Sequence, residues 1–244
     1  MIGNLKCAPA RDPSLVVLRL VGELNLASGP GFRARMLKSL ADQPTAVLVD
    51  VAALTVADDI HLTVFVAVAR HAAAWPSIPI VVCTPPPQVA KSLVRLGIDR
   101  HVLICASLDE GRIRAAGRTL PATVRDRFLP SVVTVGVARS LVEEVCGRWG
   151  LSHLAPTAGL VVTELVSNAV LHARTPIELV ITRASRQLHL AVRDYAAQAA
   201  RLVGPDGEGE PGGRGLLIVD ALTTSWGCTP TRDGKVTWAS LAIR

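Results

Sequence analysis

A chain of 244 residues that is 50% hydrophobic and 19% charged can fill one or two sizeable cores, and with 3% aromatic residues it has little to stack on exposed bases. Its formal net charge of +6 is spread along the chain, with 13 basic and 9 acidic residues over 1–120, 13 and 11 over 121–244, and no Lys/Arg run of the kind that tracks nucleic acid. Five widely spaced cysteines without a Cys-x-x-Cys pair, no basic-then-apolar leader, and apolar stretches broken by Asp50, Asp58 and Arg70 argue against a disulfide framework, a zinc site, secretion and a membrane span, and so for a cytoplasmic protein.

The first half alternates strands and helices. Leu15–Leu20, with Leu24 as the alternative end, reads as a strand from its apolar, β-branched run, and Phe32–Leu40 as a helix after Ser28-Gly-Pro-Gly. Ala46–Asp50 reads as a buried strand ending in a carboxylate, Ile60–Trp75 as a helix stopped by Pro76, and Ile78–Cys83 as a third strand. Val89–Leu96 is a short helix with Gly97 as its C-cap, and Val102–Cys105 a last short strand. Such alternation predicts a sheet with helices packed against it. The charged stretch 109–130 reads as a terminal helix and then an interdomain linker, giving domains at 1–115 and 131–244 with 116–130 between them.

The second half runs in a different order. Val132–Trp149 and Ala155–Ala173 read as helices, the second with Pro156 in its first turn. Ile177–Ile181 and Leu188–Val192 read as strands, the latter alternating apolar and polar residues. Residues 195–212 read as a mobile glycine-rich loop, Gly213–Leu222 as a helix, and Trp226–Pro230 with Lys235–Leu241 as a strand pair turning at Asp233-Gly234. The order predicts a helical layer on a mostly antiparallel sheet.

Three features of this half suggest chemistry. Glu164, Asn168 and His172 recur every four residues and share one face of their helix, while Val161, Leu165 and Ala169 mark an apolar face. A carboxylate one turn from an amide oxygen suits the orientation of a hydroxyl beside Mg²⁺, although a solvated polar stripe has the same pattern. Asp194 ends a strand, where a carboxylate accepts an exocyclic amine or simply forms a turn. Gly212-Gly213-Arg214-Gly215-Leu216 opens a helix whose first N–H groups suit a phosphate, or serves as a hinge. Gly207-Glu-Gly209-Glu-Pro-Gly212 matches G-x-G-x-x-G in letters only, because no strand leads directly into it and Glu208 and Glu210 repel a pyrophosphate.

The order of these features over 128–244 resembles the GHKL (Bergerat-fold) ATPases, and within them the bacterial anti-sigma factor serine/threonine kinases. The resemblance rests on Val162-Thr-Glu164-Leu-Val-Ser-Asn168-Ala-Val-Leu-His172, Gly213-Arg-Gly-Leu-Leu-Ile-Val-Asp-Ala-Leu222 and Gly234-Lys-Val-Thr-Trp238. It implies ATP and Mg²⁺ as cofactors, Glu164 as base for a protein hydroxyl, Asn168 on the metal, Asp194 on adenine, and Gly213, Arg214, Gly215 and Leu216 along the phosphates. Ala196 stands where the family often has glycine, so the resemblance puts a methyl where glycine allows a close backbone approach or φ > 0.

Val47-Leu-Val-Asp50-Val-Ala-Ala-Leu-Thr-Val-Ala-Asp58-Asp59-Ile-His61-Leu62 resembles the core of a STAS domain, the anti-sigma factor antagonist fold. In that family a serine follows the Asp at Asp58 and accepts phosphate; here Asp59 stands in its place, and His61 stands where the family has glycine. Asp59 brings a fixed negative charge that mimics a phosphoserine in part. The expected fold class is therefore a STAS-like α/β sheet with helices followed by an α+β Bergerat-fold two-layer sandwich. The expected function is ATP-dependent serine/threonine kinase activity on a separate STAS-domain antagonist within an anti-sigma system, with a sigma factor as a further partner, dimerisation implied by the family, and no direct nucleic-acid or membrane partner. The alternative is a non-catalytic binding or scaffold module.

Overall fold

Val47, Leu48 and Val49, buried on both faces of one strand, show how the first half is built: a parallel sheet covered on both sides needs continuous apolar runs rather than alternation. The computed structural model describes residues 5–11, 15–118, 121–196 and 213–243 and divides the chain into two compact units, Met1–Leu120 and Pro121–Arg244.

In the first unit β1 (Lys6–Arg11), β2 (Leu15–Leu24), β3 (Ala46–Val56), β4 (Ile80–Cys83) and β5 (Leu103–Cys105) lie in the order β1-β2-β3-β4-β5. β1 and β2 pair antiparallel and the remaining neighbours are parallel, joined by α1 (Gly29–Ala41), α2 (Thr63–Ala74) and α3 (Pro87–Arg95). Val47, Val49 and Val51 pack with Phe32, Leu40, Phe65 and Leu93 in one core, while Leu48, Val81 and Cys83 form a second with Ala115 of α4 (Leu108–Ala116). At Gly111 of α4 an added methyl would stand 2.6 Å from Cys83 Sγ, so this helix reaches the sheet through a glycine. Gly97 adopts φ +67° after α3, as its C-cap reading requires.

The second unit is an antiparallel sheet in the order β6-β7-β8-β10-β9, formed by β6 (Ala122–Phe128), β7 (Ile177–Arg183), β8 (Gln187–Asp194), β9 (Ser225–Pro230) and β10 (Lys235–Ala242). Ile177, Leu179, Ile181, Leu188, Leu190, Val192, Ala239 and Leu241 share one core with Val142 and Val145 of α5 (Val132–Arg148), Val161, Val162 and Leu165 of α6 (Ala155–His172), and Val219 of α7 (Gly213–Leu222). The two-layer arrangement expected from the element order is present.

Four expectations need correction. Residues 122–128, expected inside a linker at 116–130, form β6, an edge strand whose charged side chains are compatible with solvent. β3 does not end at Asp50 but continues to Val56. β1 was not expected; it too is an edge, the one place where a sheet tolerates a residue like Pro9. The stretch Ser152–His172, with mean hydropathy 1.5, is long and apolar enough to cross a membrane by length and composition, contrary to the sequence reading, yet Ala158, Val161, Val162, Leu165, Val166 and Ala169 of it belong to the core under the sheet.

Candidate functional site

The sequence of α6 separates packing from chemistry. Val161, Val162, Leu165, Val166 and Ala169 are buried against the sheet, and Glu164 and Asn168 sit half-buried at the side of that stripe. His172 is the last residue of the helix and is exposed. Pro156 lies in the first turn, where its missing N–H has no partner to lose.

The first turn of α7 lies directly on Glu164. A methyl added at Gly215 would collide with Glu164 Oε2 and stand 3.4 Å from Cδ and 3.7 Å from Cβ. With glycine at 215 the carboxylate rests against the beginning of this helix, and a methyl there would push the end of the Glu164 side chain aside. Gly213 is the first residue of α7, with Arg214 next to it, and Leu216 is half-buried. The glycine-rich segment 197–212, including the letter match at 207–212, lies outside the described residues.

Asp194 closes β8. It follows Leu188, Leu190 and Val192 on the face of the sheet that the helices cover, and its neighbours across the sheet are Ile177 on β7 and Lys235 on β10. It is 1% exposed. Its Oδ1 accepts the backbone N–H of Ala196 at 3.2 Å, and Lys235 Nζ stands 3.6 Å from Oδ2. Burial pushes this carboxyl above its ordinary range, with Lys235 and the Ala196 N–H pulling the other way. Gly234 is pressed onto the same backbone: a methyl there would overlap the Asp194 carbonyl oxygen and stand 2.8 Å from Tyr195 Cα. Ala196 is absent from the positive-φ residues, so the left-handed conformation that the glycine departure put at issue is not adopted.

Glu164, Gly215 and Asp194 thus belong to the helix-covered side of one sheet, with direct contact between the first two. Among the described residues no group of three or more His, Cys, Asp or Glu side chains is placed to hold a metal ion. Asn168 offers a neutral oxygen of the kind that suits a hard divalent cation keeping most of its other ligands.

On the other face, offset by one residue, Arg127, Glu178, Arg193, Tyr195 and Asp233 line a cleft of about 630 Å³. Its charges are largely satisfied internally: Arg193 pairs with Asp233 at 2.6 Å and lies 5.5 Å over the Tyr195 ring, and Arg125 faces Glu178 at 3.6 Å.

In the first unit Asp58 caps the 3-10 turn Asp59–Leu62 before α2, accepting the Ile60 N–H at 2.9 Å. Asp59 forms an ion pair with Arg95 at the end of α3. Asp50 accepts a hydrogen bond from the Thr84 hydroxyl, with Arg19 Nε 3.6 Å away. Three of these partners were not singled out from sequence. Arg95, Thr84 and Lys235 are ordinary residues whose roles follow from which strands and helices lie side by side; only for Lys235 was there a usable signal, since the antiparallel pairing of Leu188–Asp194 with Lys235–Leu241 puts the two ends opposite each other.

Residues 128–241 match the model of the histidine kinase-like ATPase domain, and residues 8–111 match the model of the STAS domain. Solved structures similar to the chain include an anti-sigma factor antagonist from Mycobacterium paratuberculosis, 16% identical over 46% of this chain and 95% of that one with a TM-score of 0.42. A putative anti-sigma factor antagonist from Thermotoga maritima is 16% identical over 45% of this chain and 94% of that one, with a TM-score of 0.40. The histidine kinase domain of a blue-light activated histidine kinase from Erythrobacter litoralis is 18% identical over 86% of this chain and 95% of that one, with a TM-score of 0.32. No curated protein matches the chain.

Proposed function

The chain joins a STAS domain to a histidine kinase-like ATPase domain, and from that premise we propose that it is an ATP-dependent protein serine/threonine kinase of the anti-sigma type, acting on the hydroxyl of a separate STAS-domain antagonist. The observation that carries this reading is the Glu164–Gly215 contact, which sets a half-buried carboxylate against the first turn of a helix while Asp194 stands buried on the same side of the sheet.

Each residue then has one task. Asp194 accepts the exocyclic amine of adenine and fixes the base. The N–H groups at the start of α7 face the phosphates, with Gly213 and Gly215 allowing close approach and Arg214 alongside. Asn168 would supply an oxygen to a Mg²⁺ carried on the nucleotide, and that ion would neutralise phosphate charge. Glu164 holds the substrate hydroxyl in line and takes its proton as the oxygen–phosphorus bond forms and the bond to the departing ADP breaks. The chain contributes position and electrostatics rather than a covalent intermediate.

Asp59 cannot form a stable phosphate ester, so the substrate serine belongs to another molecule. Asp58 and Asp59 are regulatory in this reading: they keep a permanent charge where the family's phosphate would be. The test is transfer from γ-labelled ATP to serine-containing STAS proteins. Wild type transfers label, and Glu164→Ala binds Mg-ATP within a few-fold of wild type while losing transfer. Undiminished transfer by the variant removes Glu164 from the chemistry. Failure of the wild type to bind ATP at all leaves the second reading, a non-catalytic binding module, which the engagement of both Asp194 oxygens within the chain favours.

A further inference from the structure

Lys235 opens β10 directly across from Asp194 and points its ammonium at a carboxylate that is itself closed off from water. The Lys235 side chain is 20% exposed and that of Asp194 2%. Oδ1 of Asp194 accepts the Ala196 N–H at 3.2 Å, and Lys235 Nζ stands 3.6 Å from Oδ2. Gly234, locked over the Asp194 carbonyl, fixes where the lysine stem begins. The chain therefore supplies its own cation at the position where a purine amine would donate.

We propose that Lys235 determines nucleotide affinity: its ammonium occupies the acceptor face of Asp194, so an aminopurine binds only by displacing it. The inference rests on the reading of Asp194 as the base-recognising carboxylate. A charge-assisted contact to a carboxylate is stronger than one from a neutral N–H donor, and more so away from water. Exchanging the lysine ammonium for the exocyclic amine of adenine thus subtracts from the binding free energy. The nucleotide must regain that loss through its phosphates, which makes an adenosine without phosphates a weak ligand. The same lysine works against burial in favour of the ionised carboxylate when no base is bound, so a role in the empty state and a cost in the filled state belong to one side chain.

The test uses the full chain and calorimetry with Mg-ATP and with adenosine. Lys235→Met keeps the length of the stem and removes the charge; Lys235→Arg keeps the charge. Met is expected to bind adenosine about tenfold more tightly than wild type, and Arg to stay within about twofold of wild type, at equal thermal stability. Lys235→Gln is the substitute should Met fold poorly. Unchanged or weaker binding by a folded uncharged variant overturns the proposal. An independent readout needs no ligand: the Asp194 carboxyl, followed by ¹³C NMR, should titrate at higher pH in Lys235→Met, and an unmoved titration overturns the pairing. If wild type binds Mg-ATP, Asp194→Asn loses it and Lys235→Met gains nothing, only this inference falls. If none of the three binds, the nucleotide reading falls with it.

Discussion

Each unit sets an aspartate against a cation, and the two pairs differ in the water around them. Asp59 and Arg95 keep 37% and 68% of their side-chain surface exposed, whereas Asp194 and Lys235 keep 2% and 20%. Solvent screens the first pair, so its attraction and the cost of breaking it are both small. The second is shielded, so its geometry decides what else the carboxylate can hold. The lesson is that two pairs of the same chemistry differ by their burial: under the proposed function the shielded pair governs what the second unit's carboxylate can bind, while the exposed pair leaves a solvated charge on the first.

The largest expected effect tests whether that division is real. Glu164→Ala should reduce phosphoryl transfer to a STAS substrate by about 10²–10⁴-fold, the range for loss of a positioned general base. Labelled-ATP transfer under single-turnover conditions measures it. Transfer within a factor of three of wild type would take catalysis away from the second unit and leave the contrast as one of electrostatics alone.

A second effect comes from another buried polar group of the same unit. His189 is 1% exposed on the sheet face opposite the helices, with Nδ1 2.8 Å from Ser240 Oγ. Burial lowers its pKa from 6.5 to about 4, so it stays neutral in the fold. Below pH 6.5 the unfolded chain takes up a proton that the folded chain refuses, so stability is fully present above that pH and falls as pH drops toward about 4. The shift corresponds to roughly 3 kcal/mol. His189→Asn removes the titration and retains a group that can bond Ser240. Denaturant unfolding at pH 7 and pH 4.5 should therefore show a smaller loss in the variant than in wild type. Equal losses would mean that this face admits water, and that burial does not separate the two units as argued.

Packing at the base corner gives a third, smaller effect. Gly234→Ala places a methyl onto the Asp194 carbonyl and should destabilise the second unit by about 1–3 kcal/mol, the usual cost of overpacking. The same variant should also weaken Mg-ATP binding, because the methyl displaces the Asp194 backbone that aims its carboxylate. A stability loss without any change in ATP binding would separate the corner's structural role from its recognition role.

The sequence was informative where local chemistry decides structure. α5, α6 and α7 follow from apolar periodicity, Pro156, Gly150 and the glycines before Leu216, and the α7 bounds at Gly213 and Leu222 agree with expectation. Asp194 falls on the last residue of β8 because the alternation from Leu188 runs without a break to the strand end. β6 was missed because an edge strand carries charge by necessity: Arg125, Asp126 and Arg127 make it look like a linker, and only its pairing with Ile177–Arg183 identifies it. The end of β3 was missed because Asp50 looks like a turn former, while its hydrogen bond from Thr84 lets it stay within the strand. Lys235, Arg95 and the Glu164–Gly215 contact depend on register and helix packing, which no local pattern encodes.

The smallest expected effect is at the exposed pair. Arg95→Ala should change the stability of the first unit by no more than about 1 kcal/mol, because the pair is solvated and its long side chains lose entropy when held together. What remains of the effect should shrink between 50 and 500 mM salt, as the screening length falls below the dimensions of the site. Urea unfolding at the two salt concentrations measures both. Asp59 keeps its charge in the variant, so recognition of that charge by a partner should survive while the orientation imposed by Arg95 is lost. A salt-independent loss of several kcal/mol would show that Asp59 is tied into the fold as firmly as Asp194, and the contrast between the two carboxylates would no longer rest on burial.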